Sequence, residues 1–389
     1  MKKLSRITDR LFGQPMFKLL AIAQGLERQG QHILHFEIGD PSFASPPHAI
    51  EAAKRALDDG HTHYTNSMGL YEFREAITEF TERNWYFRPD LEQIIVCPAN
   101  ALIDFCVRCV ANPGDEVLLP DPGFPTYYSA LNYNKIRPVG VPLYEKNEFK
   151  MKPEDVSQRI TDKTKLIIVN SPQNPTGAVM DEQDLLQLGH IAEEYDLFLL
   201  SDEVYSKLIY DGKHYSPCVL DKCRERTILL NSLSKTYSMP GWRMGYAVGP
   251  IQLIEKMGLL LQTILSCLPG FTQIGAMAAL QNDQSFVRKC VAELKERRDF
   301  FVEGLNQIKN IRCVKPGGAF YLFPHVDHTG MSGFEYSERV LNEEGICILP
   351  GSNFGECGSG FMRLSYSNTT LPVIAEALER LDRFHKRHF

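Results

Sequence analysis

The chain predicts an α/β fold built on a largely parallel sheet, and three observations carry that expectation. Short apolar, β-branched runs alternate with helix-period stretches, the pattern of a parallel sheet flanked by helices. Each run ends in polar, aromatic or turn residues, and parallel sheets collect ligands beyond the carboxyl ends of their strands. The third observation is size: 389 residues, 43% hydrophobic and 23% charged, suffice for a substantial core and two domains.

The elements follow in order. Ser45-Pro-Pro starts a helix that closes near Gly60, with the serine as cap and proline in the first turn. Residues 93–97 read as a strand leading into Pro98-Ala-Asn-Ala101, and residues 116–119 as one leading into Pro120-Asp-Pro-Gly-Phe124-Pro. The run 165–170 enters the breaker-rich Ser171-Pro-Gln-Asn174-Pro-Thr-Gly177. After a helix-period stretch at 182–195, the run 196–201 ends in Asp202-Glu-Val-Tyr205, and 227–230 precedes Asn231. Residues 283–308 suit a long amphipathic helix. Strands at 316–323, 346–349 and 361–366 follow, and a helix at 371–385 closes the chain. The expected division is a large domain at 46–280 and a smaller one made of 1–45 plus 281–389.

Composition removes several classes of function. A net charge of −6 argues against nucleic acid or an anionic membrane as the main partner. No run has the length and apolarity of a membrane span, and Met1-Lys-Lys-Leu-Ser-Arg lacks a following apolar signal core. Ten cysteines without a disulfide framework suit a reducing, cytoplasmic setting. Cys106-Val-Arg-Cys109 has metal-like spacing but no second pair, and it lies in an apolar helical stretch, so packing is its expected role and no metal site is read. Asn368-Thr-Thr370 fits a glycosylation sequon, which carries no meaning without secretion.

The richest segment is Asn231-Ser-Leu-Ser-Lys-Thr-Tyr-Ser-Met-Pro-Gly-Trp-Arg243. It places Lys235 at a strand end among the hydroxyls of Ser232 and Ser234 and the cation of Arg243. An amine held beside a phosphate site can form a Schiff base with the aldehyde of pyridoxal phosphate (PLP).

Seven runs in order, among them Ile38-Gly-Asp-Pro-Ser-Phe43, Asn170-Ser-Pro-Gln-Asn-Pro-Thr-Gly177, Ser201-Asp-Glu-Val-Tyr205, Ser232-Leu-Ser-Lys235, Gly241-Trp-Arg243 and Phe361-Met-Arg-Leu-Ser365, resemble the class I/II aminotransferases. These are fold type I PLP enzymes of the aspartate aminotransferase superfamily, and the likeness spans nearly the whole chain. It implies a mostly parallel seven-stranded sheet between helices, with a smaller α+β domain.

The resemblance also implies roles. Lys235 would hold the cofactor covalently and, once released, act as base; Asp202 would pair with the pyridine nitrogen. Asn174 and Tyr205 would donate to the ring's phenolate oxygen, and Phe124 would stack on the ring. Ser232, Ser234 and Arg243 would bind the phosphate with N–H groups of Ala99, Asn100 and Ala101, where the family usually carries a glycine-led run. Tyr64 would reach the phosphate of a neighbouring subunit, which makes a homodimer part of the site. Arg363 would grip the substrate carboxylate with both prongs of its guanidinium. Ile38 and Gly39 would close over the substrate, with Asn174 also contacting it.

The leading expectation is therefore transfer of an amino group from an amino acid or related amine to an oxo acid or carbonyl acceptor by a ping-pong shuttle. The alternative is a PLP-dependent decarboxylase or lyase on the same scaffold, acting on an amino acid or phosphorylated amino acid. A non-catalytic binding protein is disfavoured because Lys235 is present. No second arginine for a side-chain carboxylate is evident.

Overall fold

The computed structural model describes residues 3–326 and 329–389. In chain order its first strands are β1 (Leu34–His35), β2 (Ile94–Val96), β3 (Glu116–Asp121), β4 (Arg137–Pro142), β5 (Thr164–Asn170) and β6 (Phe198–Asp202). Then come β7 (Thr227–Ser232), β8 (Gly245–Val248), β9 (Tyr321–Leu322), β10 (Ile346–Cys347), β11 (Leu349–Pro350) and β12 (Met362–Ser365). Strands β2 to β8 form one seven-stranded sheet in the order β2-β8-β7-β6-β5-β3-β4. All neighbours in it are parallel except β8, which runs antiparallel to β2 and β7.

The apolar runs form strands because helices cover both faces of this sheet. Ile95 points into a core shared with helices Ala99–Val110, Pro125–Tyr133 and Ile251–Leu265. Its neighbours Ile94 and Val96 point the other way, against helices Tyr71–Trp85 and Gly270–Gln281. All three are fully buried, each contributing about 1.5–3 kcal/mol of transfer free energy. Strands β4 and β8 are not legible in sequence. β4 contains Pro138, Gly140 and Pro142, which an edge strand tolerates; β8 is only four residues long.

Three expectations need correction. The helix after Ser45 spans Pro47–Asp58 with Pro46 at its cap position, and Ser45 does not cap it. Ser45 Oγ instead donates to the Ser238 carbonyl at 2.9 Å and accepts from Trp242 Nε1 at 3.1 Å. The run 316–323 is strand only at β9. A Cβ at Gly318 would press on the Leu208 carbonyl and on Pro172, and its N–H donates to Gly177. That half therefore lies as a loop over the Asn174 turn. The run 346–349 splits at Ile348: β10 pairs parallel with β1, whereas β11 pairs antiparallel with β12, which pairs with β9.

The helices expected at 182–195, 283–308 and 371–385 are found at Glu182–Glu194, Ser285–Gln307 and Leu371–His388. Cys106 is buried and Cys109 half-buried within their helix, packed as expected. No helix among the described residues is long and apolar enough to cross a membrane. What positions the site is the run from β1 into Glu37–Gly39, which crosses above the carboxyl ends of β5, β6 and β7.

Candidate active site

At that crossing lies a cavity of about 440 Å³, within the usual size range for small-molecule sites. Lys235 stands in it on the short helix Leu233–Thr236, which starts directly after β7 and is capped by Ser232 accepting from the Ser234 N–H at 3.2 Å. Lys235 Nζ donates to the Gly39 carbonyl at 2.6 Å. Burial pushes its pKa down to about 8; Asp40 opposes the shift, and Arg363 and Arg243 reinforce it. A sizeable fraction is thus neutral near physiological pH, able to act as nucleophile or base.

Asp202 ends β6, where it is enclosed and accepts from Tyr127 Oη at 2.5 Å and from the Val204 N–H at 3.3 Å. Burial pushes its pKa up to about 6 against those two hydrogen bonds. No basic side chain among the described residues pairs with it, so a protonated ring nitrogen would supply the missing cation. That unmet charge is an observation that the site fits PLP. Asn174 Oδ1 accepts from Arg363 Nη1 at 3.3 Å, its backbone N–H donates to Asn170 Oδ1 at 2.9 Å, and its side-chain Nδ2 has no partner among the described residues. Tyr205 Oη shares a 2.8 Å hydrogen bond with Tyr321 Oη. Phe124 lines the cavity and meets Tyr127 edge-on at 5.7 Å between centroids.

The phosphate end is less uniform than the resemblance implies. Helix Ala99–Val110 begins without a side-chain cap, and Ala99 and Asn100 line the cavity. Ala101 does not: it packs on the core below, and its N–H is taken by the Pro98 carbonyl at 2.9 Å. Only the first two N–H groups of the helix remain for an anion. Ser232 and Ser234 present hydroxyls 3.0 Å apart. Arg243 lies at the cavity wall with a left-handed backbone, φ 58°, donating to the Pro240 carbonyl at 2.8 Å and ion-paired to no acid among the described residues. Tyr64 is 89% exposed and lies outside this chain's cavity.

Opposite stands Arg363 of β12, buried to 1% exposure. It donates to Asn174 Oδ1 and to the Glu37 carbonyl, and its Nε has no partner. The guanidinium carbon lies 4.7 Å from the Tyr321 ring centroid and 4.9 Å from that of Phe354. Burial lowers its pKa, and no carboxylate among the described residues pairs with it. An enclosed, unpaired guanidinium has the chemistry to receive a carboxylate. Ile38 and Gly39 both line the cavity, and a Cβ at Gly39 would collide with the Tyr321 hydroxyl.

Comparison with known proteins establishes the family. Residues 31–381 match the family described as aminotransferase class I and II. The chain belongs to that family. An aspartate aminotransferase of Pyrococcus abyssi is 39% identical, with 94% of each chain covered. An aromatic-amino-acid aminotransferase of Thermococcus litoralis is also 39% identical, with 95% of each covered. The solved alanine aminotransferase of Pyrococcus furiosus superposes with a TM-score of 0.94 at 31% identity, covering 99% of this chain and 100% of its own. The protein is a PLP-dependent aminotransferase of fold type I, and these relatives give no support to the decarboxylase or lyase alternative.

Several residues of the cavity carry little or no mark in the sequence. Tyr127 holds Asp202, and its signal was its spacing of three from Phe124 at a helix start, which puts both on one face. Tyr321 closes on Gly39 and Tyr205; its aromatic strand context reads equally as core. Gln14, Met16, Phe17 and Asp40 line the cavity from the N-terminal segment, and no periodicity or motif marks the first three.

Proposed function

We propose that Lys235 is both the cofactor-holding amine and the residue that moves the proton at the substrate's α-carbon. When bound, PLP supplies the electron-withdrawing ring and the aldehyde carbon that carries the amino group from donor to acceptor. Released by the incoming amine, neutral Lys235 accepts the α-proton and redelivers it, and its pKa near 8 suits both directions. Asp202, steadied by Tyr127, keeps a positive charge on the ring nitrogen and so holds the ring electron-poor. Asn174 and Tyr205 orient the ring, and Phe124 limits its movement. The free N–H groups of Ala99 and Asn100, with Ser232, Ser234 and Arg243, hold the phosphate.

Arg363 fixes the substrate carboxylate, and Ile38 and Gly39 exclude water above it. The single observation that carries this reading is the buried, uncompensated Arg363 facing the Lys235 amine across one cavity.

The donor class follows from the walls. Arg243 and Arg363 are the two arginines this chain contributes to the cavity. Met16 and Ile38 pack with Leu349 and Phe354, so the wall beside Arg363 is apolar. A monocarboxylic amino acid with an apolar or aromatic side chain fits better than a dicarboxylic one. The test mixes holoenzyme with one donor and no acceptor. One oxo acid per site should form without carbon dioxide, faster with leucine or phenylalanine than with aspartate. Carbon dioxide or elimination products would overturn amino-group transfer as the reaction, and an aspartate preference would overturn the donor class.

The protein also acts as a homodimer in this reading, because Tyr64 is exposed and has no role in its own chain's cavity. Ten free cysteines support a cytoplasmic location. The domain division at 46–280 is supported by the confinement of the seven-stranded sheet to residues 94–248.

A further inference from the structure

We propose that His35, Glu37 and Cys347 form a binding site for a divalent cation of the zinc class, beside the catalytic cavity but not among the residues that line it. β1 and β10 are a parallel pair in which His35 lies opposite Cys347. One ligand atom from each of His35, Glu37 and Cys347 lies within 4.8 Å of the other two. Zinc bonds of about 2.0–2.3 Å require ligand atoms roughly 3.5 Å apart, so small side-chain rotations suffice. Imidazole, carboxylate and thiolate together favour a borderline-soft ion over magnesium or calcium.

Two features point beyond a plain ion pair. Glu37 is 1% exposed, yet its Oε2 meets no nitrogen or hydroxyl donor, and the Cys347 thiol is the polar group beside the carboxylate. A buried carboxylate oxygen left open beside a buried thiol is an acceptor awaiting a cation. Second, His35 offers Nδ1 to Glu37 at 2.8 Å while its Nε2 meets Glu27 Oε1 at 3.2 Å. A ring nitrogen facing the metal and the other donating to a carboxylate is the arrangement that orients histidine ligands. The partly exposed edge of His35 leaves a fourth position for water.

A bound ion would take the place of the proton shared between His35 Nδ1 and Glu37 Oε1, 2.8 Å apart, and of the Cys347 thiol proton. The dication is neutralised by thiolate and carboxylate, and the His35 Nε2–H stays on Glu27.

The probe is zinc(II) alone, titrated into chelator-treated holoenzyme with proton release recorded, and cobalt(II) for the visible spectrum. One saturable equivalent per chain, release of protons on binding, and cobalt bands showing tetrahedral geometry with one thiolate are expected. The equivalent should vanish in Cys347→Ser and in Glu37→Gln, weaken by about 10–100-fold in Glu27→Gln, and persist in Cys357→Ser, which removes the exposed thiol. Absence of a saturable equivalent, or its survival in Cys347→Ser and Glu37→Gln, overturns the proposal. Should those variants fail to fold, X-ray absorption on the zinc-loaded wild type decides: one sulfur among nitrogen and oxygen ligands supports the site, and none or more than one refutes it.

Discussion

The floor and the roof of the cavity are built differently. Floor residues come from successive strand ends of the large sheet, and neighbouring side chains hold several of them in place. Asp202 is held by Tyr127 and Ser232 by Ser234. The roof comes from β12 and the segment after β1, and there the groups are left short. Arg363 has only carbonyl-type acceptors with a bare Nε, and the Gly39 carbonyl is met from below by Lys235 of the floor. A floor so organised needs little rearrangement to receive its cofactor. A roof so deprived gains most when a carboxylate arrives, which places substrate discrimination in the small sheets and the chemistry on the large one.

Perturbing each side separately tests that division. The largest effect is expected at Lys235→Ala, where loss of the proton-transferring amine should lower kcat by about 10²–10⁴-fold while cofactor still binds non-covalently, as equilibrium dialysis would show. Arg363→Lys should come next. Loss of the two-pronged grip removes about 1.5–3 kcal/mol, roughly 10–150-fold in kcat/KM for amino acids, with turnover of amines lacking a carboxylate barely changed. If both substrate classes suffered equally, the roof would not be the carboxylate receptor.

The amine's own titration sharpens the floor. Lys235 is lowered to about 8, so the neutral nucleophile declines below that pH. The rate of PLP uptake by stripped protein should rise about tenfold per unit up to pH 8 and then level. Tyr127→Phe should have a smaller effect, costing about 1 kcal/mol, roughly fivefold in kcat, with donor KM unchanged.

The smallest expected effect concerns stability. Glu37 first, then Glu27, raise His35 from 6.5 to about 9, and the Cys347 thiol also faces this cluster. A raised histidine stabilises fully below pH 6.5 and loses that contribution as pH rises through 9. With metal chelated, the stability gap between wild type and His35→Gln should therefore shrink across that window in denaturant titrations.

Much of the floor was legible because a buried parallel strand must be apolar and must end where it stops being covered. Residues such as Asp202, Asn174 and Lys235 therefore stand out at the ends of unmistakable runs. The roof was less so. Arg363 was marked only by its resemblance, and Tyr321 sits in an aromatic run that packing alone would explain. Residues 346–349 read as one strand because periodicity cannot reveal that alternate ends pair with different partners. Ala101 was misplaced for a local reason: the third N–H of a helix can turn back to the residue before it, which leaves two donors rather than three. His35, Glu37 and Cys347 carry no spacing signal at all, since parallel pairing joins segments far apart in the chain.

The most direct measurement is borohydride reduction of the holoenzyme, followed by proteolysis and mass spectrometry. The reduced cofactor's mass is expected on the peptide bearing Lys235 and nowhere else, with no label in Lys235→Ala. Label on a different lysine, or its persistence in that variant, would contradict the account.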